Sequence, residues 1–319
     1  MQRREVIKAL GCLAAMPVML GGCHGQQSLR LGIHPWPGYE PLYLAEAFGW
    51  LPLRVELAES SNAGGSLAAL LRGELDGAAL TLDEVLQARA AGLPLTCVAV
   101  LNESVGADMV VARAPLASLA ALAGKRLAVE RSALGELVLS QLLETSGLER
   151  DQLTLIDLPP DRQPAAWRAG HIDAAITYEP SASRLLRDGA VRVFDSSQFP
   201  DLILDVLALR LDRLPWRGAV ASALVEGHFR GLKHLKQSPG DALRRIGAWR
   251  DLSLEEAQGT FAGLELPGVV ANRAYLAPSG AVMEAADHLN RLMVARGLLT
   301  SPADLEALVT SRYLPVREE

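Results

Sequence analysis

A six-residue segment of the chain occurs twice. Gly73-Glu74-Leu75-Asp76-Gly77-Ala78 is matched by Gly170-His171-Ile172-Asp173-Ala174-Ala175. Each copy follows a helix-like stretch, and each glycine suits a helix C-terminus, where a left-handed residue is needed. Each copy then runs into a short apolar strand that ends in polar residues. A short repeat alone can arise by chance, so its surroundings decide whether the chain is internally duplicated.

The sequence around the two copies has the same order of elements. In the first half, strand patterns at 29–33 and 53–57 enclose a helix at 40–48. In the second half, strand patterns at 126–129 and 153–156 enclose a helix at 133–145. Strands that alternate with helices are typical of parallel sheets covered on both faces. The sequence therefore predicts an α/β fold with two related lobes, each a doubly wound sheet.

Two extended segments would join these lobes. Residues 107–112 carry the chain into the second lobe, and the apolar strand 202–208 carries it back, so the two strands form a hinge. We predict that lobe 1 comprises 29–108 and 206–319, and that lobe 2 comprises 109–205. The region 219–313 reads as mostly helical and should pack on lobe 1. It includes a helix at 281–295 and another that starts at Pro302, with Ser301 as its N-cap.

The N-terminus has the pattern of an export signal. Arg3 and Arg4 precede the apolar run 9–20, which is shorter than the roughly 20 residues that a membrane span needs. The run ends in Leu20-Gly21-Gly22-Cys23, which resembles a bacterial lipobox. We predict a lipoprotein signal peptide at 1–22, lipidation of Cys23 and a tether at 23–28. An ordinary cleaved signal with an incidental Cys23 is the alternative, and both general and twin-arginine export remain open.

Composition excludes several classes of function. The net charge is −6 and no run rich in Lys or Arg follows the leader, so nucleic-acid binding is not expected. Cys12, Cys23 and Cys97 are the only cysteines, which leaves no disulfide framework or metal-binding cysteine set. Cys97 lies in an apolar run and reads as a core residue. No phosphate-binding loop, zinc-protease motif or serine-nucleophile elbow is present, so we expect a protein without a cofactor that is not an enzyme.

The segment Gly32-Ile33-His34-Pro35-Trp36-Pro37-Gly38-Tyr39-Glu40-Pro41-Leu42-Tyr43-Leu44-Ala45 resembles the first strand, loop and helix of a known family. These are the ABC-transporter substrate-binding proteins of the nitrate, sulfonate, taurine and thiamine-precursor type. Both Gly-x-(Leu/Ile)-Asp segments, Val129-Glu130-Arg131-Ser132, Thr177-Tyr178-Glu179-Pro180 and Ile203-Leu204-Asp205-Val206-Leu207 are similar to it as well. The resemblance implies a type II periplasmic-binding-protein fold, a hinged cleft, and permease and ATPase partners. Glu130-Arg131-Ser132-Ala133 departs from the pattern, because it lacks the glycine often found before the serine.

Ligands in open α/β sheets bind at the carboxyl ends of the strands, so the loops there supply the candidate residues. The predicted ligand-binding residues are Trp36, Tyr39, Ser61, Asn62, Thr81, Asn102, Ser132, Tyr178, Glu179 and Asp205. Trp36 could instead plug the core of lobe 1, and Ser61, Asn62 and Ser132 could be helix caps. A carboxylate in the apolar hinge strand is costly unless it is bonded, which favours a ligand or hinge role for Asp205.

Other polar residues in these loops have simpler explanations. Glu40 suits the first turn of a helix, and Asp83 could cap the helix that follows it. Asp76 and Asp173 are expected to tie the loop before each repeated strand. A lone histidine such as His34 is more often not a ligand contact.

Acidic candidates outnumber basic ones. The carboxylates are Glu40, Asp83, Glu179 and Asp205, whereas the basic candidates are His34, Arg131 and Arg162. An anion would require more donors or a nearby cation. The expected ligand is therefore a small polar solute, neutral or cationic and nitrogen-containing, with a sulfonate-like solute left open. The alternatives are a lipoprotein that senses a ligand and signals to a membrane partner, or a biosynthetic enzyme on the same fold.

Overall fold

The computed structural model describes residues 28–113 and 116–316. The predicted signal peptide, Cys23 and the tether up to residue 27 lie outside these ranges. Strands and helices alternate along most of the described chain, and the strands form two sheets. None of the helices in these ranges combines the length and apolar character needed to cross a membrane.

The first sheet has six strands. They are β1 (Leu29–Ile33), β2 (Val55–Glu59), β3 (Gly77–Thr81), β4 (Leu95–Ser104), β10 (Leu204–Arg210) and β11 (Leu264–Glu265), in the order β11-β4-β10-β3-β1-β2. β1 pairs in parallel with β2 and β3, whereas β10 runs antiparallel to β3 and β4. Every residue of β4 is buried, as expected for a strand covered on both faces.

The second sheet repeats this arrangement. Its strands are β5 (Met109–Ala112), β6 (Arg126–Val129), β7 (Thr154–Asp157), β8 (Ala174–Thr177) and β9 (Val191–Asp195), in the order β7-β6-β8-β5-β9. β6 is parallel to β7 and β8, and β5 is antiparallel to β8 and β9. The predicted α/β fold with two sheets is confirmed, and each sheet is mixed, because a crossover strand pairs antiparallel with its neighbours. A strand that enters from the other sheet starts at the edge where the parallel strands end, so it must run against them.

Asp76 and Asp173 hold equivalent places in the two sheets. The Asp76 Oδ2 atom accepts a hydrogen bond from Arg30 N at 2.9 Å, and Asp173 Oδ2 accepts one from Arg126 N at 3.0 Å. In each case the aspartate joins the turn before the third strand to the first strand of its sheet. The structural role predicted for both aspartates is confirmed, and it supports the internal duplication.

Eleven α-helices accompany the sheets in the described ranges. They are α1 (Glu40–Ala47), α2 (Ala63–Leu71), α3 (Leu82–Ala90), α4 (Ala133–Ser146), α5 (Gln163–Arg168), α6 (Ser181–Arg187), α7 (Gly218–Gln237), α8 (Pro239–Arg250), α9 (Leu254–Gly259), α10 (Val269–Tyr275) and α11 (Ala281–Ala295). The C-terminal helices return to the first sheet as predicted, with α7 against α1 and α11 against α3. A β-carbon at Gly231 would overlap the Pro41 carbonyl oxygen, so this glycine permits the close approach of α7 to α1.

The segment that begins at Pro302 is not the predicted helix. It runs beside β4 instead, where Cys97 N donates to Leu308 O at 2.7 Å and Thr310 N donates to Cys97 O at 3.0 Å. Hydrogen bonds to β4 satisfy backbone groups of this segment. This pairing outweighs the local signal for a helix N-cap at Ser301. Cys97 is fully buried and free, in agreement with its predicted role in the core.

Two crossovers connect the sheets, one between β4 and β5 and the other between β9 and β10. The buried hydroxyl groups of Ser104 and Ser196 are hydrogen bonded at 2.8 Å, and Gly106 N donates to Ser196 Oγ at 2.7 Å. These bonds hold the two crossovers side by side, as a hinge requires. Leu204 and Asp205, placed in lobe 2 from the sequence, pair with strands of the first sheet. The division into lobes 1 and 2 otherwise stays a prediction.

Candidate functional site

A cavity lies between the two sheets, at the edge where their parallel strands end. It is lined by His34, Trp36, Ala63, Thr81, Glu84, Asp108, Glu130, Leu134, Tyr178 and Asp205. Trp36, Thr81, Tyr178 and Asp205, four of the predicted site residues, are therefore brought together. Their ligand-binding roles stay predictions, but the shared location is a property of the fold.

Antiparallel insertion of β10 explains why Asp205 reaches this edge. In the sheet, Asp205 lies opposite Thr81 at the end of β3 and opposite Asn102 near the end of β4. Because β10 runs against both neighbours, its first residues meet their last ones. Asp205 is thus held by pairing on both sides while its carboxyl group faces the cavity.

The cavity is small. The centre of a water molecule can occupy about 20 Å³ there, which is room for little more than one water. Trp36 and Tyr178 form part of the enclosure, with ring centroids 5.5 Å apart and planes at 90°. A ligand of several heavy atoms therefore needs the walls to separate before it enters.

A buried hydrogen-bond network holds Asp205. Tyr39 OH donates to Asp205 Oδ1, Asn102 Nδ2 donates to Asp205 Oδ2 at 2.8 Å, and Trp36 Nε1 donates to Asn102 Oδ1 at 3.0 Å. Tyr39 and Asn102 do not line the cavity. The structure therefore places these two predicted ligand contacts behind the site, where they orient Asp205 and Trp36.

The cavity lining is acidic. Glu84, Asp108, Glu130 and Asp205 contribute carboxyl groups, and neither Lys nor Arg is among the lining residues. Burial raises the pKa of Asp205 to about 6 and that of Asp108 to about 7. The pKa of Glu84 is raised well above its ordinary value and that of Glu130 is also raised, in both cases chiefly by burial. These carboxyl groups are desolvated without a cation to balance them.

His34 does not supply that cation. It is 5% exposed, and burial, assisted by the nearby Arg250 charge, lowers its pKa to about 3. Its ring is therefore neutral near pH 7. The Nδ1 atom has no hydrogen-bond partner among the described residues, so His34 offers a neutral imidazole to the cavity.

Three predicted contacts are located at helix starts. Asn62 Oδ1 accepts from Gly65 N at 3.1 Å, Ser132 Oγ accepts from Gly135 N at 3.1 Å, and Ser61 is exposed. None of the three side chains lines the cavity. Asn62 and Ser132 are the N-caps of α2 and α4, as the alternative interpretation of these residues states. Ala63 and Leu134, in the first turns of the capped helices, do line it. The two helix N-termini thus face the cavity although their caps do not.

Glu179 lies at a second, smaller cavity behind Trp36. Its carboxylate accepts from Ser183 Oγ at 2.9 Å and from Ser183 N at 3.2 Å. The same cavity is lined by Glu40 and Arg250, whose side chains are joined by an Arg250 Nε to Glu40 Oε1 bond of 2.7 Å. Tyr178 and its neighbour Glu179 therefore face different spaces, a separation that sequence adjacency could not reveal.

Sequence reasoning did not select Glu84, Asp108, Ala63 or Leu134. Asp108 directly precedes the apolar strand β5, and an acidic residue at that position could have marked it as a candidate site residue from the sequence alone. Glu84 lies in the first turn of α3, where an acidic residue is common in any helix. Its position three residues after Thr81 brings its Oε2 atom to Thr81 N at 3.1 Å, and its selection required the three-dimensional course of α3.

The amino-acid sequence matches the profile of the NMT1/THI5-like family over residues 36–242. The chain belongs to this family. The match covers more than half of the 319 residues and includes all the cavity-lining residues except His34.

The chain is also similar to characterised proteins and solved structures. The chain is 24% identical to the taurine-binding periplasmic protein of Escherichia coli K12 over 273 residues, which is 79% of this chain and 82% of that protein. A ligand-binding component of an ABC-type import system from Staphylococcus aureus, with zinc bound, has a TM-score of 0.74 at 17% identity, covering 90% of this chain and 98% of that one. The alkanesulfonate-binding protein SsuA of Xanthomonas axonopodis pv. citri, bound to MOPS, has a TM-score of 0.72 at 21% identity, covering 88% and 97%. These structural matches establish the periplasmic-binding-protein fold.

Some other proteins with the same fold are enzymes. A desulfurization enzyme superimposes with a TM-score of 0.66 at 16% identity, covering 89% of this chain and 97% of that one. Fold alone therefore does not separate a binder from an enzyme. Within residues 28–113 and 116–316, no group of three or more His, Cys, Asp or Glu side chains is arranged to hold a metal ion.

Proposed function

We propose that this family member is the solute-binding component of an ABC importer and captures a small polar ligand in the cavity between its two sheets. The observation that carries the proposal is the convergence of Trp36, Thr81, Tyr178 and Asp205, from separate parts of the chain, on one small cavity. A cleft beside a hinge is suited to capture by closure. Similarity to the taurine-binding periplasmic protein of E. coli and to the ABC import component of S. aureus supports the same role.

The ligand is a small nitrogen-containing solute, with a sulfonate-like solute as the second candidate. Carboxyl groups dominate the lining, which favours a ligand that donates hydrogen bonds or carries positive charge. The similarity to taurine-binding and alkanesulfonate-binding proteins favours a sulfonate group. Taurine satisfies both, because it carries an ammonium and a sulfonate.

Thermal unfolding with a panel of ligands tests this proposal. We expect amines, taurine and aminopyrimidines to raise the unfolding temperature, since a ligand that binds only the folded state stabilises it by mass action. Ethanesulfonate, which lacks nitrogen, should have a smaller effect. Stabilisation by ethanesulfonate alone would contradict the preference for nitrogen, and no stabilisation by any class would contradict solute binding.

The proposed location is the periplasm or cell surface, with the protein held to a membrane by lipid on Cys23 and serving permease and ATPase subunits. A Cys23→Ser variant should move from the membrane fraction to the soluble fraction and lose incorporation of labelled fatty acid. Retention of the label would exclude Cys23 as the acceptor.

Two further experiments separate the alternative functions. Transport in vesicles that contain the permease and ATPase separates import from sensing. Product analysis after incubation with each ligand separates binding from turnover.

A further inference from the structure

Three buried carboxylic residues and one half-buried one, Glu130, line the cavity, and neither Lys nor Arg is among the lining residues. Glu84 lies on α3, Asp108 in the first crossover, Glu130 after β6 and Asp205 on β10. Because they come from different elements, they surround the space instead of forming one local cluster. Buried charges in proteins are generally paired, and an unpaired one is costly. Protonation avoids this cost, as the raised pKa values of these groups show, and a cation that enters the cavity would offset the cost of ionising them.

Asp108 has the most specific arrangement of the four. It is 3% exposed, and its Oδ2 atom has no hydrogen-bond partner among the described residues. Its main chain is fixed on both sides, because Asp108 N donates to Ser104 Oγ at 3.1 Å and Asp108 O accepts from Ser196 N at 2.9 Å. The carboxyl group is thus positioned by both crossovers while one oxygen remains available to a molecule in the cavity.

The aromatic walls favour the same kind of ligand. Trp36 and Tyr178 line the cavity together with Asp108 and Asp205. Ammonium groups are attracted to the faces of aromatic rings and donate hydrogen bonds to carboxylates. A cavity that combines aromatic rings with carboxylates therefore suits an organic cation better than a simple anion.

We propose that the ligand presents an organic ammonium group to this cavity and that Asp108 accepts a hydrogen bond from it. The inference rests on the proposed solute-binding function and specifies the charge of the solute. It also assigns a ligand contact to the crossover, so that binding of the ammonium group involves the segment about which the sheets would move. The remainder of the ligand would contact other parts of the lining, which include Ala63 and Leu134 in the first turns of α2 and α4.

The pH dependence of binding should reflect this assignment. Burial raises the pKa of Asp108 to about 7, with Asp205 and Asp83 adding to the effect. The other titratable groups that line the cavity are Glu84, Glu130, Tyr178, Asp205 and the neutral His34. An ammonium probe stays protonated between pH 6 and pH 8, whereas Asp108 becomes ionised over that interval, so affinity should rise by about tenfold.

Three two-carbon probes test the proposal by calorimetric titration. Taurine carries an ammonium and a sulfonate, ethanolamine carries an ammonium and a hydroxyl, and isethionate carries a sulfonate and a hydroxyl. We expect taurine and ethanolamine to bind at least about tenfold more tightly than isethionate. The Asp108→Asn variant should weaken the two ammonium probes by about 10- to 100-fold, leave isethionate unchanged and make the rise between pH 6 and pH 8 smaller, because only Asp205 and the other lining carboxyl groups then ionise.

An Asp287→Asn variant is the matched control, because it removes one carboxylate from an exposed pair with Arg291 on α11. It should bind all three probes as the wild type does.

Asp108→Asn should not lower the unfolding temperature of the empty protein, since it removes an unpaired buried charge. Equal binding of taurine and isethionate, or unchanged ammonium binding by Asp108→Asn, would overturn the ammonium assignment and leave solute binding intact. Failure of all three probes at millimolar concentration would contradict the inference and the proposed function together.

Discussion

The indole of Trp36 and the phenol ring of Tyr178 meet edge to face, with centroids 5.5 Å apart, although the residues belong to loops after strands of different sheets. Trp36 follows β1 and Tyr178 follows β8, which are the first strand of the first sheet and the third parallel strand of the second. Both rings line the cavity. A molecule that enters between them must separate the two rings, so we expect the pair to couple ligand entry to relative movement of the sheets.

Replacement of Tyr178 by alanine should weaken ligand binding by about tenfold. The variant removes an aromatic pair worth about 0.5–1.5 kcal/mol beyond its buried area, together with one wall of the cavity. Titration of the best-binding probe measures the change. Tyr178→Phe retains the ring and serves as the matched control, with an affinity close to that of the wild type. Wild-type affinity in Tyr178→Ala would show that this wall contributes nothing to binding.

Tyr39→Phe should destabilise the protein by about 1.5–3 kcal/mol, because it removes a hydrogen bond to the Asp205 carboxylate. Burial raises the Asp205 pKa to about 6 even though the Tyr39 bond lowers it, so loss of that bond raises the pKa further. The destabilisation should thus be larger at pH 8, where Asp205 is ionised, than at pH 5. Urea unfolding at both pH values measures it. Tyr275→Phe removes a comparable hydroxyl from Glu103 in a more exposed setting and should cost less. Equal losses at pH 5 and pH 8 would contradict the network.

Arg187→Gln should accelerate ligand release by about two- to fivefold. Arg187 on α6 forms an ion pair of 2.8 Å with Glu256 on α9, so this contact joins the second-sheet side of the cleft to the C-terminal helices. Exposed pairs contribute about 0.2–1 kcal/mol, and salt screens them, so the difference should disappear at high ionic strength. Stopped-flow release measures the rate.

Arg168→Gln is the control for the ion pair. Arg168 and Asp188 form a pair of 2.9 Å with similar exposure, but both residues belong to the unit around the second sheet. Release from Arg168→Gln should equal that from the wild type. The same acceleration in both variants would mean that loss of a surface charge, and not the contact across the cleft, controls release.

Asp173→Asn should reduce stability near neutral pH and make it less sensitive to acid. Hydrogen bonds from the Arg126 side chain are the main reason that the Asp173 pKa falls from its ordinary value near 3.8 to about 2. Stability from a carboxylate with a lowered pKa is present above the unfolded value and is lost as pH falls towards the folded value. The difference between wild type and variant, about 1 kcal/mol at pH 6, should therefore shrink between pH 4 and pH 2. A constant difference over that range would contradict this role.

Much of the architecture follows from local pattern. The repeated Gly-x-(Leu/Ile)-Asp segment and its flanks predicted two related α/β units, and the helix at Ala281–Ala295 was predicted with its observed ends. Asp76 and Asp173 were interpreted as structural because of their place in the repeat, and their equivalent bonds to Arg30 and Arg126 confirm this. Periodicity and helix-end signals are local properties, so they can be read without knowledge of the partner surfaces.

The site was predicted less completely for a physical reason. Sequence position shows that a residue follows a strand, but it does not show which way its side chain points or what it meets. Tyr39 and Asn102 follow the expected strands, yet both lie behind the cavity and support Asp205. Asp108 and Glu84 line the cavity although their local sequence resembles an ordinary crossover and helix start.

The sequence by itself determined that the chain contains two similar α/β halves, where most of their strands and helices lie, and which loops gather at one edge. Only the tertiary structure decided that the crossover strands insert antiparallel, that Asp205 thereby reaches Thr81, and that carboxyl groups from four elements share one desolvated space. Helix and strand patterns arise from neighbours in the chain, whereas charge burial and side-chain contact depend on residues that are distant in sequence and adjacent only after folding.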